Sequence, residues 1–235
     1  SKWKTLNEKK YYFEKNGRAA RSAFLTIDKK LYYFNKSSVL KTGGWFNVGN
    51  GYYFADESGA LATNKVIEGY KLDAKGKSAT KYRIIEYVKK YTNDSMTDQQ
   101  KINAIYQWIL HNNMGYLRTY EHTRSDWVWK DSWVDDMAAS LMDNNAGNCF
   151  RYAAFSGMMI REATGLPVMV YHGQTPGAAT PLTPHGWVTV KQDGVWYVYD
   201  VELDKFSRNY ETSECYKVPY ENNYVYVQGV GTKLY

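Results

Sequence analysis

Cys149 lies in Asn145-Ala146-Gly147-Asn148-Cys149-Phe150-Arg151-Tyr152-Ala153-Ala154, where a glycine-bearing turn leads into a stretch that reads as a helix. A helix start carries a partial positive charge and unpaired N–H groups, which favour a thiolate and can hold an oxyanion. Downstream, Pro184-His185-Gly186-Trp187 supplies a base, and Trp196-Tyr197-Val198-Tyr199-Asp200 supplies a carboxylate to orient it. Types and order together point to a Cys/His/Asp acyl-transfer site. His172 and His122 are rival bases. A zinc site from Cys149, His172, His185 and Asp200 is possible on ligand type but lacks any short metal-ligand spacing, so no metal and no cofactor is expected. Cys215 reads as structural, and both cysteines are expected to be free thiols, because a disulfide would consume the nucleophile.

The elements around these residues must bring them together. The helix from Cys149 carries the small residues Ala153, Ala154 and Gly157 for packing against a sheet, and it closes at Thr164-Gly165-Leu166-Pro167. Three strands are expected: Pro167 to Gly173, His185 to Val190 and Val195 to Val201. A four-residue hairpin loop over Lys191 to Gly194 would set His185 directly opposite Asp200, whereas a slip of one residue would put them on opposite faces. Upstream, from about residue 79, helical spacing appears in Ile84, Val88 and Tyr91. A stronger helix follows, with Thr97-Asp98-Gln99-Gln100 as a capping box and Ile102, Ile105, Tyr106, Ile109 and Leu110 as its core stripe. Residues 118 to 140 hold Trp127, Trp129 and Trp133 among charged residues, suited either to a substrate cleft or to burying a loop.

The first third of the chain is repetitive. Tyr11-Tyr12-Phe13, Tyr32-Tyr33-Phe34 and Tyr52-Tyr53-Phe54 recur, each preceded by an aromatic residue (Trp3, Phe24, Trp45) and followed by turn pairs such as Asn16-Gly17, Ser58-Gly59 and Lys75-Gly76. A weaker unit follows at Gly69-Tyr70-Lys71-Leu72. Each reads as a short hairpin too small to bury its own aromatic face, so neighbours are expected to stack into a solenoid. Residues 1 to 77 hold 15 Lys+Arg against 7 Asp+Glu, a formal +8 within a chain of net +6. The basic charge is therefore local, suited to a polyanion or simply to a solvated face. No stretch is long and apolar enough to span a bilayer, and no charged-then-apolar leader opens the chain. A start at Ser1-Lys2-Trp3, inside a repeat, reads as a mature or trimmed fragment.

Gly44-Trp45-Phe46, Gly51-Tyr52-Tyr53-Phe54 and Glu57-Ser58-Gly59-Ala60-Leu61 resemble the choline-binding or glucan-binding cell-wall repeats of Gram-positive surface proteins. That resemblance implies aromatic cages for choline on teichoic acids, with Trp3, Tyr12, Phe24, Tyr33, Trp45 and Tyr53 as the wall-ligand residues. Phe24 departs from the usual Trp, and the fourth unit has Val66-Ile67 where the aromatic should be. Residues 94 to 204 resemble the transglutaminase-like superfamily through Gly147-Asn148-Cys149, Gly165-Leu166-Pro167, His185-Gly186-Trp187 and Trp196-Tyr197-Val198-Tyr199-Asp200. The resemblance implies Cys149 as nucleophile, His185 as general base and acid, and Asp200 as orienter. The oxyanion donors would be the Cys149 backbone N–H and a side chain, for which Trp133 is named.

The fold expected is α+β: an N-terminal β-hairpin repeat solenoid over 1–77, then a transglutaminase-like (papain-like) domain with an antiparallel sheet over 78–235. The function expected is that of a secreted, cell-wall-associated thiol enzyme acting on amide bonds of a protein or peptidoglycan peptide through a thioester, hydrolysis being favoured over transamidation. Its partners would be teichoic acid choline or glucan and a protein or peptide substrate, with no nucleic acid. The alternative is a binding protein or adhesin that uses the catalytic fold as a scaffold.

Overall fold

The computed structural model describes residues 1–118, 128–176, 182–206, 214–221, 223, 225–226 and 228–235. The chain is mixed α+β with antiparallel sheets, and it divides into two compact units, Ser1–Ile67 with Lys71–Tyr82, and Glu68–Tyr70 with Arg83–Tyr235. Residues His122 and Trp127 lie outside the described residues.

Hairpins make up the first unit: β1 (Lys2–Leu6) with β2 (Lys9–Phe13), β3 (Ala23–Ile27) with β4 (Lys30–Phe34), and β5 (Gly44–Val48) with β6 (Gly51–Ala55). A fourth hairpin pairs β7 (Lys65–Ile67) with β8 (Tyr70–Leu72). Two-residue turns close them. Asn7 and Glu8, and Asp28 and Lys29, all have positive φ, the conformation whose twist matches that of paired strands. Between hairpins the chain reverses on a repeated side-chain device. The Oδ1 atoms of Asn35, Asp56 and Asp73 accept backbone N–H bonds from Val39, Ala60 and Lys77, each four residues on. Ala20, Ile27, Phe34 and Leu40 form a small core, with Tyr12, Leu25 and Tyr32 packed on it.

The second unit is built on a five-stranded antiparallel sheet in the order β14-β13-β12-β11-β15: Tyr216–Pro219, Val195–Tyr199, Thr183–Gln192, Val168–Thr175 and Gln228–Lys233. Helices α1 (Ala79–Tyr91), α2 (Asp98–His111), α3 (Trp133–Asn144), α4 (Cys149–Thr164) and α5 (Val201–Phe206) complete the chain, with β9 (Gly115–Tyr116) paired in parallel to β10 (Ala146–Gly147). The capping box at Thr97 and Gln100 is formed, and Ile102, Ile105, Tyr106, Ile109 and Leu110 are buried on α2. Helix α4 lies on β11 and β12, where a Cβ at Gly157 would meet Val170 Cγ2 at 2.7 Å.

Two expectations need correction. Residues 118 to 140 are not one recognition loop, for Trp133 opens α3, a helix whose Trp133, Val134, Met137, Ala138, Leu141 and Met142 are buried. The β12–β13 hairpin closes on two residues, Asp193 and Gly194, with φ of 49° and 84°, so Gln192 pairs with Val195 and Val188 with Tyr199. His185 is thus not directly opposite Asp200. It pairs across the other edge of its strand with Gly173 on β11. The difference in register is two residues, and two preserves the face.

Candidate active site

Cys149 opens α4, the longest helix described, and Asn148 caps it by accepting from the Arg151 backbone N–H. The thiol is 7% exposed and unpaired. Strand β12 passes directly over this helix start because residue 186 is glycine: a Cβ there would fall 2.7 Å from Phe150 Cδ1 and 2.9 Å from Phe150 Cα. That close approach carries the neighbouring His185 to the thiol.

His185 and Asp200 occupy diagonal positions on one face of the hairpin. Such positions are ~7–8 Å apart at the backbone and within reach of long side chains. Here the His185 Nε2–H donates to Asp200 Oδ2 at 2.5 Å. With Nε2 engaged, Nδ1 is the nitrogen left for the Cys149 side chain, whose nearness favours a proton on the ring. Burial works against a charge on His185, but the Asp200 carboxylate and Cys149 raise its proton affinity well above the usual histidine range. Such a ring holds a proton readily. The same shift favours the folded state most below a pH of about 6.5, and that contribution is lost as pH rises through the folded-state value.

Asp200 is fixed on every side. Its Oδ2 also accepts from the Tyr226 hydroxyl at 3.1 Å, and Oδ1 accepts from the Leu203 N–H at 3.2 Å. Its backbone N–H donates to Cys215 O, and its carbonyl accepts from the Tyr106 hydroxyl of α2. Burial and the Asp200 charge raise the Tyr226 hydroxyl far above its usual range, so it remains a donor. The arrangement is a thiol, an imidazole and a carboxylate in line, each with a defined neighbour, and it is suited to proton transfer during acyl transfer.

The other candidates separate from this group. His172 pairs with Gly186, which puts it on the opposite face of the strand pair from His185. Its ring stacks on Trp129 at 4.1 Å and meets Trp133 edge-on, and burial lowers its proton affinity. The Trp133 indole N–H donates to Thr232 Oγ1 at 2.8 Å, so in this arrangement it is not directed at an oxyanion. A cavity of about 450 Å³ is lined by Trp129, Phe150, His172, Gln174, Pro184 and Val230, and so by the sequence neighbours of Cys149 and His185 rather than by those residues themselves. Two residues escaped the sequence reading, Tyr226 and Glu202, while Gly186 was read only as part of the His185 motif. The Glu202 carboxyl, His185 and Asp200 each place an atom within 4.8 Å of the others.

Cys215 has a different setting. It is part-buried, and burial together with Asp200 and Asp204 raises its thiol far above the usual cysteine range. Mildly acidic iodoacetamide should therefore modify Cys149 far faster than Cys215, as peptide mapping will show. Equal rates would refute the assignment of Cys149 as the reactive thiol.

In the repeats, Trp3 meets Tyr12 edge-on at 5.1 Å, and Phe24 lies 4.7 Å from both Tyr33 and Tyr53. Trp45 is instead 5.5 Å from Phe54, its cross-strand partner. The Lys81 ammonium sits 4.6 Å over the Trp45 ring. A larger cavity of about 920 Å³ is lined by Phe24, Tyr53 and Phe54 together with Lys29, Lys30, Lys65 and Lys75.

Comparison with known proteins agrees with both halves of this description. Residues 85–201 match the family model of the transglutaminase-like superfamily. Residues 1–45 match the choline-binding repeat, and residues 43–61 the cell wall binding repeat. The family models thus match a transglutaminase-like region preceded by choline-binding and cell wall binding repeats. Among solved structures, the choline-binding domain of Spr1274 from Streptococcus pneumoniae is 32% identical, with 32% of this chain and 90% of that one covered and a TM-score of 0.31. CbpJ of the same organism is 35% identical over 32% of this chain and 26% of its own, TM-score 0.30. Choline-binding protein F, crystallised with a peptidoglycan analogue, is 34% identical over 32% and 25%, TM-score 0.30. The chain thus spans about a quarter of the length of the latter two. No curated protein matches the chain.

Proposed function

We propose that the protein is a wall-anchored thiol acyltransferase or amidase. Cys149 attacks a substrate amide carbonyl, His185 accepts the thiol proton and returns it to the departing amine, and Asp200 keeps the imidazole oriented and stabilises its charged form. The acyl group remains on Cys149 as a thioester until water or an amine takes it. The observation that carries this reading is the 2.5 Å bond between His185 and Asp200, on a ring that the Cys149 side chain at a helix start helps to keep protonated. The cavity bounded by Trp129, Phe150 and Pro184, residues next in sequence to Cys149 and His185 among them, offers a substrate side chain an aromatic groove. The Cys149 backbone N–H, at the first position of α4, is free of an intrahelical partner and suits one oxyanion donor.

The N-terminal repeats, over about residues 1–77, serve in this reading as a stacked, solenoid-like wall-binding module. Rings and ammonium groups line the same large cavity. A polymer bearing choline and phosphate would meet both: the cation against the aromatic faces, the phosphates against the lysines. This places the protein at the cell wall.

Two measurements test the reading. The full chain should sediment with Gram-positive cell walls, more weakly at high salt and in competition with choline; salt- and choline-independent binding would remove the module assignment. Incubation with peptidoglycan and with casein should release ammonia or new termini and leave a mass adduct on Cys149. Wall binding with no adduct from either substrate would favour the adhesin alternative.

A further inference from the structure

One aromatic platform of the repeats already holds a cation. The Lys81 ammonium lies 4.6 Å from the centroid of the Trp45 ring and 6.0 Å from that of Tyr52. Lys81 is 4% exposed, although lysine is among the residues least often buried. Taking an ammonium out of water is costly unless other groups replace the water, and aromatic faces are one such replacement. All three residues belong to the first compact unit.

The backbone fixes where this ammonium can go. Tyr52 and Ser78 form an antiparallel bridge, each donating its N–H to the other's carbonyl. Ser78 is fully buried and directly precedes α1, and its hydroxyl accepts from the Lys81 N–H at 3.3 Å. The first turn of α1 is thereby tied to β6, the strand that carries Tyr52. Four residues earlier, the Lys77 ammonium donates to Asn50 Oδ1 at 2.8 Å, and its stem fills the space over Gly51, where a Cβ would fall 2.7 Å from Lys77 Cε. Two lysines thus hold the third hairpin, Lys77 at its turn and Lys81 on its rings.

The rings upstream have a different setting. Trp3 is 40% exposed beside Tyr12 and Tyr32, and Phe24 and Tyr53 line the cavity of about 920 Å³. We propose that the Trp45–Tyr52 platform is a cation site whose resident ligand is the Lys81 ammonium. This repeat is therefore closed to the quaternary ammonium of a wall polymer, which the rings around Trp3 and Phe24 receive instead. The inference deepens the wall-binding reading and rests on it only for the identity of the external ligand. A group tethered beside its own site competes at an effective concentration of millimolar or more, so a free cation must displace it to bind.

The test follows the indole N–H resonances of the full chain during titration with choline chloride and with tetramethylammonium chloride. Those of Trp3 and Trp45 are identified by their loss in Trp3→Phe and Trp45→Phe. In wild type the Trp45 resonance should stay in place while that of Trp3 shifts. Lys81→Met keeps the stem and removes the charge, so Trp45 should then shift saturably with both cations. Its apparent affinity should exceed that of wild type by about tenfold or more, because the site is no longer occupied. Lys81→Arg should behave as wild type. A wild-type Trp45 shift that matches that of Trp3 overturns the proposal, as does a silent Trp45 in Lys81→Met with the other indole resonances unchanged. A second measurement needs no Lys81 variant: the Lys81 Cε protons of wild type should be moved upfield by the Trp45 ring current, and ordinary lysine shifts would overturn the assignment. If choline moves neither Trp3 nor Trp45 in wild type, the choline reading of the repeats fails, while the response of Trp45 to tetramethylammonium in Lys81→Met still decides this one.

Discussion

Cys149→Ala should lose turnover by on the order of 10⁴-fold or more, with no acyl adduct detectable after incubation with substrate and with the fold retained. The prediction follows from the division of labour at the start of α4: no other described thiol adjoins His185, and Cys215 holds its proton too tightly to substitute. His185→Ala should do nearly as much damage, because the only other described histidine beside the cleft, His172, points from the other strand face into Trp129. Residues that act as one unit are non-additive, so the double variant should be no slower than Cys149→Ala alone. Wild-type turnover in Cys149→Ala would end the enzyme reading of this site, while unchanged activity in His185→Ala would move the base elsewhere.

Asp200→Asn should retain a fold and a measurable rate yet lose about 10²–10⁴-fold, the size of a general acid–base contribution made inefficient. The substitution leaves one amide oxygen where the carboxylate has two, so it can accept on the Leu203 side or on the Tyr226 and His185 side but not both, and it removes the charge that supports a protonated His185. The sign can be checked by pH. Without the carboxylate the imidazolium gives up its proton at lower pH, so the range over which His185 is charged shrinks from the alkaline side. Following the imidazole resonances of His185 through a titration should show that downward displacement. A titration identical to wild type would mean that Asp200 supports the ring only by packing.

The order Cys149, His185, Asp200 was readable because each residue sits where local patterns are strong: a capped helix start, then two aromatic-rich strands. The geometry between them was less so. A four-residue loop over Lys191 to Gly194 gives the wrong pairing, although Asp193-Gly194 is itself a dipeptide suited to a two-residue turn. The error was harmless because an even shift leaves both side chains on one face. Helix α3 was legible in the spacing of Trp133, Val134, Met137, Ala138, Leu141 and Met142, but three tryptophans among charges drew the reading towards a loop. In the repeats, Trp3 and Phe24 face Tyr12 and Tyr33 across their hairpins, whereas Trp45 faces Phe54. Glu202 and Tyr226 carry no local sign of their places in the site. Burial of a carboxyl depends on which elements close around it, here α2 and α4 against α5, and that information lies in tertiary contact alone.

The contrast between the two thiols decides how the protein responds to oxidants. Peroxide attacks thiolates, and the first product, a sulfenic acid, is rescued when a second thiolate resolves it as a disulfide. Cys215 is a poor resolving partner, because burial beside Asp200 and Asp204 keeps its sulfur protonated. A sulfenic acid on Cys149 therefore depends on small thiols from outside for its recovery. Where those are scarce it proceeds to the sulfinic acid and permanent inactivation, so the enzyme's working lifetime would be set by the reducing capacity of its surroundings rather than by the stability of its fold.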